Sequence, residues 1–215
     1  MQNPLKIPED IPSPIDLRTM HDARSWADSV MRKRPWRKDF FNVFVNELRS
    51  LCLNELSVLE LGSGPGFLAQ QILESLPNTT YTMLDFSLAM HELARQRLGH
   101  LVQNVHFVLA NFKEEHWTSA LQSFDAVVTM QAVHELRHKQ HALKFHSSVQ
   151  KLLRKDGIYL VCDHYAAPDA MTNTDLYMSV EEQHRALEDA GFKFIQCILQ
   201  KGGMVLHRAC KLEQR

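Results

Sequence analysis

A glycine-rich turn after a buried strand is the first feature of this sequence that could do chemistry. In VLELGSGPGF the glycines Gly62, Gly64 and Gly66 follow an apolar strand and precede the helical pattern FLAQQILESL. Glycine is required where the backbone turns sharply and approaches a ligand closely, because a Cβ atom would collide or demand a disfavoured φ. Asp85 ends the next apolar strand, YTMLD, where a carboxylate can accept hydrogen bonds from both hydroxyls of a ribose. Together these features predict a nucleoside-type binding site.

The spacing of the glycines argues against a dinucleotide as the ligand. The fingerprint G-x-G-x-x-G requires a glycine at position 67, which here is Phe67, so the spacing is G-x-G-x-G. Glu60 lies two residues before the first glycine and places a negative charge where a phosphate would bind. These residues favour a cationic ligand.

Apolar strands alternate with helical patterns along most of the chain, and this alternation positions the glycine turn and Asp85. Helical patterns fill each gap, so the strands run parallel in an open twisted α/β sheet with helices on both faces, and ligands bind at the carboxyl ends of the strands. Near the end of the chain, two further strands flank the short turn QKGG and predict an antiparallel hairpin. The predicted strands are residues 58–61, 81–84, 105–109, 126–130, 158–162, 192–199 and 204–207.

The motif LELGSGPG resembles the first motif of the class I S-adenosylmethionine-dependent methyltransferases. Asp85 resembles the ribose-binding acid of that family, and ANF at 110–112 resembles its adenine-contacting motif. FDAVVTMQAVHEL and LLRKDGIYLV resemble its fourth and fifth strands, so the resemblance covers residues 58–209. It implies a Rossmann-like, mostly parallel seven-stranded sheet in the order 3-2-1-4-5-7-6 with the last strand antiparallel. It also implies S-adenosylmethionine as cofactor and methyl transfer as activity.

The resemblance implies a set of cofactor-binding residues at the carboxyl edge of the sheet. At one of them, Asn111, the family usually carries an aspartate that accepts from the adenine amino group. An amide oxygen can accept the same bond without a charge, and the alternative is that Asn111 caps a helix beginning near Lys113. The expected residues are Glu60, Gly62, Ser63, Gly64, Gly66, Asp85, Phe86, Asn111, Phe112 and Gln131.

The basic segment MRKRPWRKDFF precedes the first strand, in a region that in this class usually covers the cofactor or shapes the acceptor pocket. Trp36 and Arg37 are therefore added to the expected cofactor-binding residues. A guanidinium there could bind the methionine carboxylate of the cofactor or an anionic acceptor. The alternative is a solvated helical face anchored by Trp36, which we favour for Lys33 and Lys38.

Two histidines follow the fourth and fifth strands and are candidate catalytic residues. His134 lies at the rim of the expected cleft beside Gln131 and Glu135, and it could act as a base or position the acceptor. His164 follows Asp163 at the end of the fifth strand, where it too could face the acceptor. The alternative for His134 is a half-exposed histidine that caps or packs at a helix start, and for His164 it is a polar residue that simply meets water at a strand end.

His134 and His138 also spell H-E-x-x-H, the pattern that places two imidazoles on one helix face in zinc hydrolases. In the methyltransferase register, however, His134 falls where a strand turns into a helix, and no third ligand is evident. We therefore predict no metal site, and the hydrolase stays as a minor alternative.

Composition and charge narrow the function classes. With 24 Lys and Arg against 25 Asp and Glu, the formal charge is -1, so no overall field attracts nucleic acid or an anionic membrane. The N-terminus lacks the apolar segment of a signal peptide, and no run of the chain is long enough to span a bilayer. Cys52, Cys162, Cys197 and Cys210 lack C-x-x-C spacing, which favours free thiols and a cytoplasmic location.

The domain prediction divides the chain into three parts. Residues 1–18 form a proline-rich arm that is mobile or lies along the surface, residues 19–54 form two helices interrupted at Pro35, and residues 55–215 form the methyltransferase domain. The helices and the domain are expected to be one structural unit.

Three functions remain open at this point. The first is a methyltransferase acting on a small-molecule acceptor, because no nucleic-acid-binding or peptide-binding module is evident. The second is a methyltransferase acting on a protein or tRNA, which only the basic stretch 32–38 encourages. Nucleic acid is the less favoured partner because MQAVHEL stands where an N-P-P-Y motif would indicate methylation of bases or glutamine. The third is a non-catalytic cofactor-binding subunit. The acceptor atom and the oligomeric state are left open.

Overall fold

The computed structural model describes residues 9–211, and within them the alternation expected from the sequence is present. The helices are α1 (Met20–Lys33), α2 (Arg37–Arg49), α3 (Phe67–Ser75), α4 (Leu88–Leu98), α5 (Ala142–Leu152) and α6 (Val180–Asp189). The strands are β1 (Leu56–Leu61), β2 (Thr79–Asp85), β3 (Val105–Leu109), β4 (Phe124–Met130), β5 (Leu153–His164), β6 (Lys193–Lys201) and β7 (Met204–Cys210). Short 3-10 helices occupy Gly99–Asn104, Val133–Leu136 and Lys139–His141.

The strands form one seven-stranded sheet in the order β3-β2-β1-β4-β5-β7-β6, which confirms the predicted fold class. β1 to β5 pair in parallel, and β7 runs antiparallel to both β5 and β6. The predicted hairpin is confirmed, with Gly202 and Gly203 at positive φ in its turn. The carboxyl ends of β1, β2, β4 and β5 therefore meet at one edge of the sheet.

Helices cover both faces of this sheet and bury its apolar side chains. On one face α2, α3 and α4 pack through residues such as Phe44, Ile72 and Ala94. On the other face α5 and α6 pack through Val149 and Leu187. Fully burying a side chain of this size stabilises the fold by about 1.5–3 kcal/mol relative to its exposure, so the two clusters hold the strand ends in fixed positions.

The two N-terminal helices form as the sequence predicts. Thr19 caps α1 by accepting a hydrogen bond from the backbone N–H of Asp22, and Pro35 follows the residue at which α1 ends. The apolar stripe of α2 packs into the same cluster as the first strands, so these helices share the core of the sheet. The buried residues of the stripe are Phe40, Phe41, Phe44, Val45 and Leu48.

One helical prediction is wrong. The gap between β3 and β4 contains turns in place of the expected crossover helix. Its backbone bonds span three residues, from Glu114 to Asn111 and from Leu121 to Thr118, and are not continued into a helix. The segment carries too few apolar residues for a helical stripe, and its buried Trp117 stacks on the ring of Phe145 of α5, with ring centroids 6.0 Å apart. Phe112 of the same segment is also buried against Phe145, so these two aromatic side chains fix the segment without a helix.

Residues 9–18 lie along the surface, which is one of the two arrangements predicted for the arm; residues 1–8 of the arm lie outside the described residues, as do residues 212–215. The Arg137 guanidinium donates hydrogen bonds to the carbonyls of Ile11 and Pro12, each at 2.8 Å. In return, the Ile11 N–H donates to the backbone carbonyl of Arg137. Farther along, the Ser87 hydroxyl donates to the Leu17 carbonyl at 2.5 Å. We call residues 9–18 the strap, because these bonds fasten it across the carboxyl edge of the sheet.

Arg137→Ala should loosen the strap without unfolding the domain. Each hydrogen bond from a charged group contributes about 1.5–3 kcal/mol, so losing both should accelerate backbone hydrogen exchange in residues 9–18 by at least tenfold. Hydrogen exchange followed by mass spectrometry measures this directly. Arg154→Ala, which removes an ion pair to Asp125, is the control and should leave the strap's exchange unchanged. Unaltered exchange in Arg137→Ala would contradict the role assigned to Arg137.

Candidate functional site

The carboxyl ends of the central strands surround an open cavity, at the place where the sequence predicts a ligand site. Its empty space is about 970 Å³, a figure that includes the open solvent at its mouth. Strap residues Ile15 and Leu17 form part of its wall. Most of the residues expected from the sequence line it: Arg37, Glu60, Gly62, Ser63, Gly64, Asp85, Phe86, Phe112, Gln131, His134 and His164.

The three glycines of the turn have different roles, although all three have positive φ. A Cβ atom on Gly62 would lie 2.3 Å from the Cβ of Ala132, so the turn packs directly against the loop after β4. A Cβ on Gly66 would lie 3.2 Å from the Cβ of Ala94, and Gly66 does not line the cavity. A Cβ on Gly64 would meet nothing within 4 Å. Gly64 therefore faces the space available to a ligand, whereas Gly62 and Gly66 serve packing.

Asp85 holds the glycine turn and faces the cavity. Its carboxylate accepts hydrogen bonds from the backbone N–H groups of Gly64 at 2.8 Å and Ser87 at 2.9 Å. Burial raises the pKa of Asp85 to about 6, although these backbone donors act in the opposite direction. A carboxylate so placed retains lone pairs for hydroxyl donors of a ligand.

Glu60 is a second buried carboxyl group in the cavity wall. It accepts a hydrogen bond at 3.0 Å from the Tyr81 hydroxyl, and burial raises its pKa to about 8. A positive charge on a ligand beside Glu60 would lower this pKa and favour the carboxylate form. The site therefore suits the cationic ligand that the sequence predicts.

Arg37 is buried in the same wall with its charge unpaired. Its Nε and Nη1 atoms have no hydrogen-bond partner in the described structure, and burial lowers its pKa to about 10. The guanidinium lies over the rings of Trp26 and Phe41, with its central carbon 5.8 and 5.4 Å from the ring centroids. Buried donors of this kind are normally satisfied, so these two N–H groups indicate an anionic group of a ligand.

Besides Gly66, two expected cofactor residues, Trp36 and Asn111, lie outside the cavity. The indole of Trp36 packs against Gly202 of the β6–β7 turn so closely that a Cβ on Gly202 would lie 2.3 Å from the ring. The tryptophan that lines the cavity is Trp26. Asn111 lies on an adjoining groove, and its side-chain oxygen accepts from the Lys113 N–H at 3.0 Å. Asn111 therefore caps a turn, and the helix that it was expected to cap is absent.

His134 is joined to two carboxylates at the other end of the cavity. Its Nδ1 lies 2.7 Å from Asp163 Oδ1, and its Nε2 lies 3.4 Å from Glu135 Oε1. Burial alone would lower the pKa of His134, but these carboxylates raise it to about 10. Burial alone would raise the pKa of Asp163, but the His134 charge holds it below its usual value. The pair is therefore an imidazolium and a carboxylate at neutral pH.

His164 is a neutral imidazole with both nitrogens engaged. Nδ1 lies 3.2 Å from the Gly203 carbonyl, which can only accept, so Nδ1 carries the proton. Nε2 then accepts from the Gln131 amide at 2.7 Å, and burial lowers the pKa of His164 to about 4. This bond turns the Gln131 side-chain oxygen away, and that oxygen is buried without a partner. Neither nitrogen of His164 is free to take a proton from an acceptor, which disfavours the base predicted there.

The H-E-x-x-H pattern does not place two imidazoles on one helix face. His134 lies in a 3-10 helix that ends at Arg137, whose φ of 67° turns the chain away. His138 then caps the next 3-10 helix, with its Nδ1 accepting from the Gln140 N–H at 3.2 Å. No cluster of three metal-ligating side chains is found within residues 9–211. None of the helices formed by those residues is both long enough and apolar enough to cross a bilayer.

Sequence reasoning missed several cavity residues. Tyr177 stacks near both histidines, with its ring centroid 5.6 Å from that of His134 and 6.0 Å from that of His164. It belongs to the irregular segment between β5 and α6, which has no periodicity to predict its direction. Ile15 and Leu17 were missed because the proline-rich arm carried no signal for what it covers. Arg34 was noticed only as part of the basic stretch.

Fold and cavity together define a Rossmann-like domain in which one cleft is lined by both Asp85 and His134. A family model described as methyltransferase domain matches residues 53–206. The chain therefore belongs to the methyltransferase domain family, and its resemblance to class I S-adenosylmethionine-dependent methyltransferases is confirmed.

Individual proteins similar to this chain include a synthase and solved methyltransferase structures. The non-reducing polyketide synthase subA of Metarhizium robertsii is 33% identical over 114 residues, which are 49% of this chain and 5% of the synthase. An O-methyltransferase family protein from Burkholderia thailandensis has a TM-score of 0.72 at 17% identity, covering 88% of this chain and 59% of that one. The CMeT domain of the citrinin polyketide synthase has a TM-score of 0.71 at 17% identity, covering 89% and 57%. The chain thus spans only a small part of the polyketide synthases that it matches.

The glycine turn yields a paired prediction for stability. Gly62→Ala should lower the free energy of unfolding by about 2–4 kcal/mol, because it combines left-handed strain with overpacking against Ala132. Gly64→Ala should lower it by only about 1–2 kcal/mol, since strain is its sole cost. Urea unfolding of both variants measures the difference. Equal losses would contradict the separate roles assigned to the two glycines.

Proposed function

We propose that this chain binds S-adenosylmethionine in the cavity and catalyses transfer of its methyl group to a small-molecule acceptor. The observation that carries the proposal is the match between the wall of the cavity and the polar groups of that cofactor. Asp85 offers a buried carboxylate to the ribose hydroxyls, Glu60 a buried carboxyl group to the ammonium, and Arg37 two unpartnered N–H groups to the carboxylate. The family assignment points to the same cofactor.

Other residues of the wall complete this fit. Gly64 leaves room for close approach to the backbone, and Ser63 has a buried hydroxyl without a partner. Phe86 and Phe112 supply apolar surface beside Asp85, next to which a base can pack. Trp36, Gly66 and Asn111 lie outside the cavity, and we assign them no direct contact.

When bound, S-adenosylmethionine supplies a methyl group that is already activated by its sulfonium. The protein's main task is then to align an acceptor, which accounts for much of the rate enhancement in reactions of this kind. Gln131 serves that alignment. His164 holds its amide so that the unpartnered oxygen accepts a hydrogen bond from a ligand.

We assign His134 the role of stabilising negative charge on the acceptor. Asp163 fixes the imidazolium through Nδ1 and also accepts from the backbone N–H of His134 at 2.9 Å. A group with so high a pKa is protonated at neutral pH, which suits a hydrogen-bond donor to an oxyanion better than a base. Acceptors of this kind are enolates, phenolates and carboxylates, which bind already deprotonated and react through carbon or oxygen, so no protein base is required.

Two observations support a small acceptor over a protein or tRNA. Strap residues Ile15 and Leu17 line the cavity and narrow its access. Solved neighbours are named as carbon and O-methyltransferases, including the Mitomycin 7-O-methyltransferase MmcR. The paired His134 and Asp163 disfavour a non-catalytic subunit, because a buried ion pair contributes little to stability on its own. We also propose a cytoplasmic location, since all four cysteines are free.

Asp85→Ala should weaken S-adenosylmethionine binding by at least tenfold. The variant leaves ribose hydroxyls and the Gly64 N–H without their acceptor, at a cost of about 1–3 kcal/mol. Isothermal titration calorimetry on wild type and variant measures the change. Asp39→Ala, which removes a surface ion pair to Lys201, is the matched control and should bind like wild type. Wild-type affinity in Asp85→Ala would refute the ribose assignment, and absence of binding in wild type would refute the proposed function.

The His134 assignment predicts the direction of the pH dependence. Because the imidazolium is the active form, the methyl-transfer rate should persist through pH 8 and fall only as the pH approaches the raised pKa of about 10. Asp163→Asn removes the carboxylate that raises the pKa, so the fall should move below pH 8 with a loss of at least tenfold at that pH. Single-turnover rates of label transfer from methyl-labelled S-adenosylmethionine to an acceptor, followed against pH, measure this shift. His138→Gln is the control and should keep the wild-type pH dependence. A rate rising tenfold per pH unit up to pH 10 would instead identify His134 as a base.

A further inference from the structure

Arg34 places a further positive charge in the cavity wall, besides Arg37 and His134. It directly follows α1, is half-buried, and lines the cavity together with Tyr177 and His164. Burial lowers the pKa of His164, and the charges of His134 and Arg34 act in the same direction, as expected if Arg34 lies close to the ring. Arg34 therefore lies within electrostatic reach of His164 and Tyr177, and also of Arg37.

Within residues 9–211, Arg34 has no carboxylate partner. Arginines elsewhere in that range do form ion pairs, and Arg34 makes neither an ion pair nor a side-chain hydrogen bond. The paired arginines are Arg18, Arg137, Arg154 and Arg208. A half-buried cation in a cavity without a counter-ion lowers the cost of binding an anion there.

The other charges at this end of the cavity already have partners. His134 is paired with Asp163, and Glu135 lies 3.4 Å from the Arg137 guanidinium. Under the proposed function, Arg37 binds the carboxylate of the cofactor. Arg34 is then the one charge lining the acceptor end, among the described residues, that no opposite charge balances.

We propose that the acceptor is a small anionic molecule of the carboxylic acid class, whose charged group binds Arg34 between His164 and Tyr177. A guanidinium donates two parallel hydrogen bonds to a carboxylate, which fixes the orientation of the acceptor as well as its charge. Anchored there, the reacting part of the acceptor lies beside His134 and Gln131, the two groups assigned to its alignment. This inference rests on the proposed function and adds the substrate class.

The test begins by separating a small-molecule cell extract by charge on an anion exchanger at pH 7. Retained and unretained fractions are each incubated with methyl-labelled S-adenosylmethionine and wild-type protein. Label should be acquired by acceptors from the retained fraction. With that fraction limiting, Arg34→Ala should reduce the initial rate at least tenfold, Arg34→Lys should reduce it less, and Arg32→Ala should leave it unchanged. Arg32 is the matched control because it is an exposed cation of the same helix and does not line the cavity.

A second measurement does not depend on turnover. Phenylglyoxal modifies accessible guanidinium groups, and mass spectrometry locates the modified residues. The retained fraction should slow the modification of Arg34 at least threefold in the presence of S-adenosylhomocysteine, whereas Arg32 should react at the same rate throughout. The unretained fraction should protect neither residue.

The outcomes separate this inference from the function on which it rests. Labelled acceptors in the unretained fraction, an undiminished rate in Arg34→Ala, or unprotected Arg34 would each overturn the assignment of an anionic acceptor. Loss of S-adenosylmethionine binding in Arg34→Ala, measured by calorimetry, would place Arg34 on the cofactor side and also overturn it. Wild-type protein that binds no S-adenosylmethionine would contradict the proposed function itself.

Discussion

Three carboxyl groups buried at one edge of a parallel sheet are the constraint on which the rest of this structure depends. Glu60 and Asp85 lie near or at the ends of β1 and β2, and Asp163 lies near the end of β5, each 4% exposed or less. Parallel strands bring such residues to the same edge, where burying charge is expensive unless each group is compensated. Each is compensated differently, by a phenol hydroxyl, by backbone N–H groups and by an imidazolium. These differences divide the cleft into regions that suit different ligand groups.

Two cations of the site, Arg37 and His134, are also compensated in different ways by the groups that surround them. Arg37 is held by aromatic rings and leaves its donors unused, whereas His134 is bonded to Asp163 through Nδ1 and has Glu135 3.4 Å from Nε2. The first arrangement keeps a buried donor available to an incoming anion, and the second stores a proton at neutral pH. An apolar wall would offer neither, so the polar groups are retained despite their cost to stability.

The sequence predicted the sheet and the glycine turn because both depend on local patterns. Apolar runs, a positive φ at Gly64 and a carboxylate after β2 are properties of neighbouring residues, and parallel pairing then brings them together. Trp36 and Asn111 lie outside the cavity because their contacts come from distant or irregular segments. A β-hairpin turn covers the indole, and a turn in place of a helix uses the amide. Tyr177 could not be predicted, because its direction is set by an irregular loop.

The strap also sets the width of the cavity mouth. It is fastened by Arg137, which lies three residues after His134, so one loop both carries His134 and holds the strap. Ile15 and Leu17 line the cavity, so opening of these bonds would widen its mouth. The size of the ligand that can enter is therefore coupled to local unfolding of about ten residues and needs no movement of a separate domain.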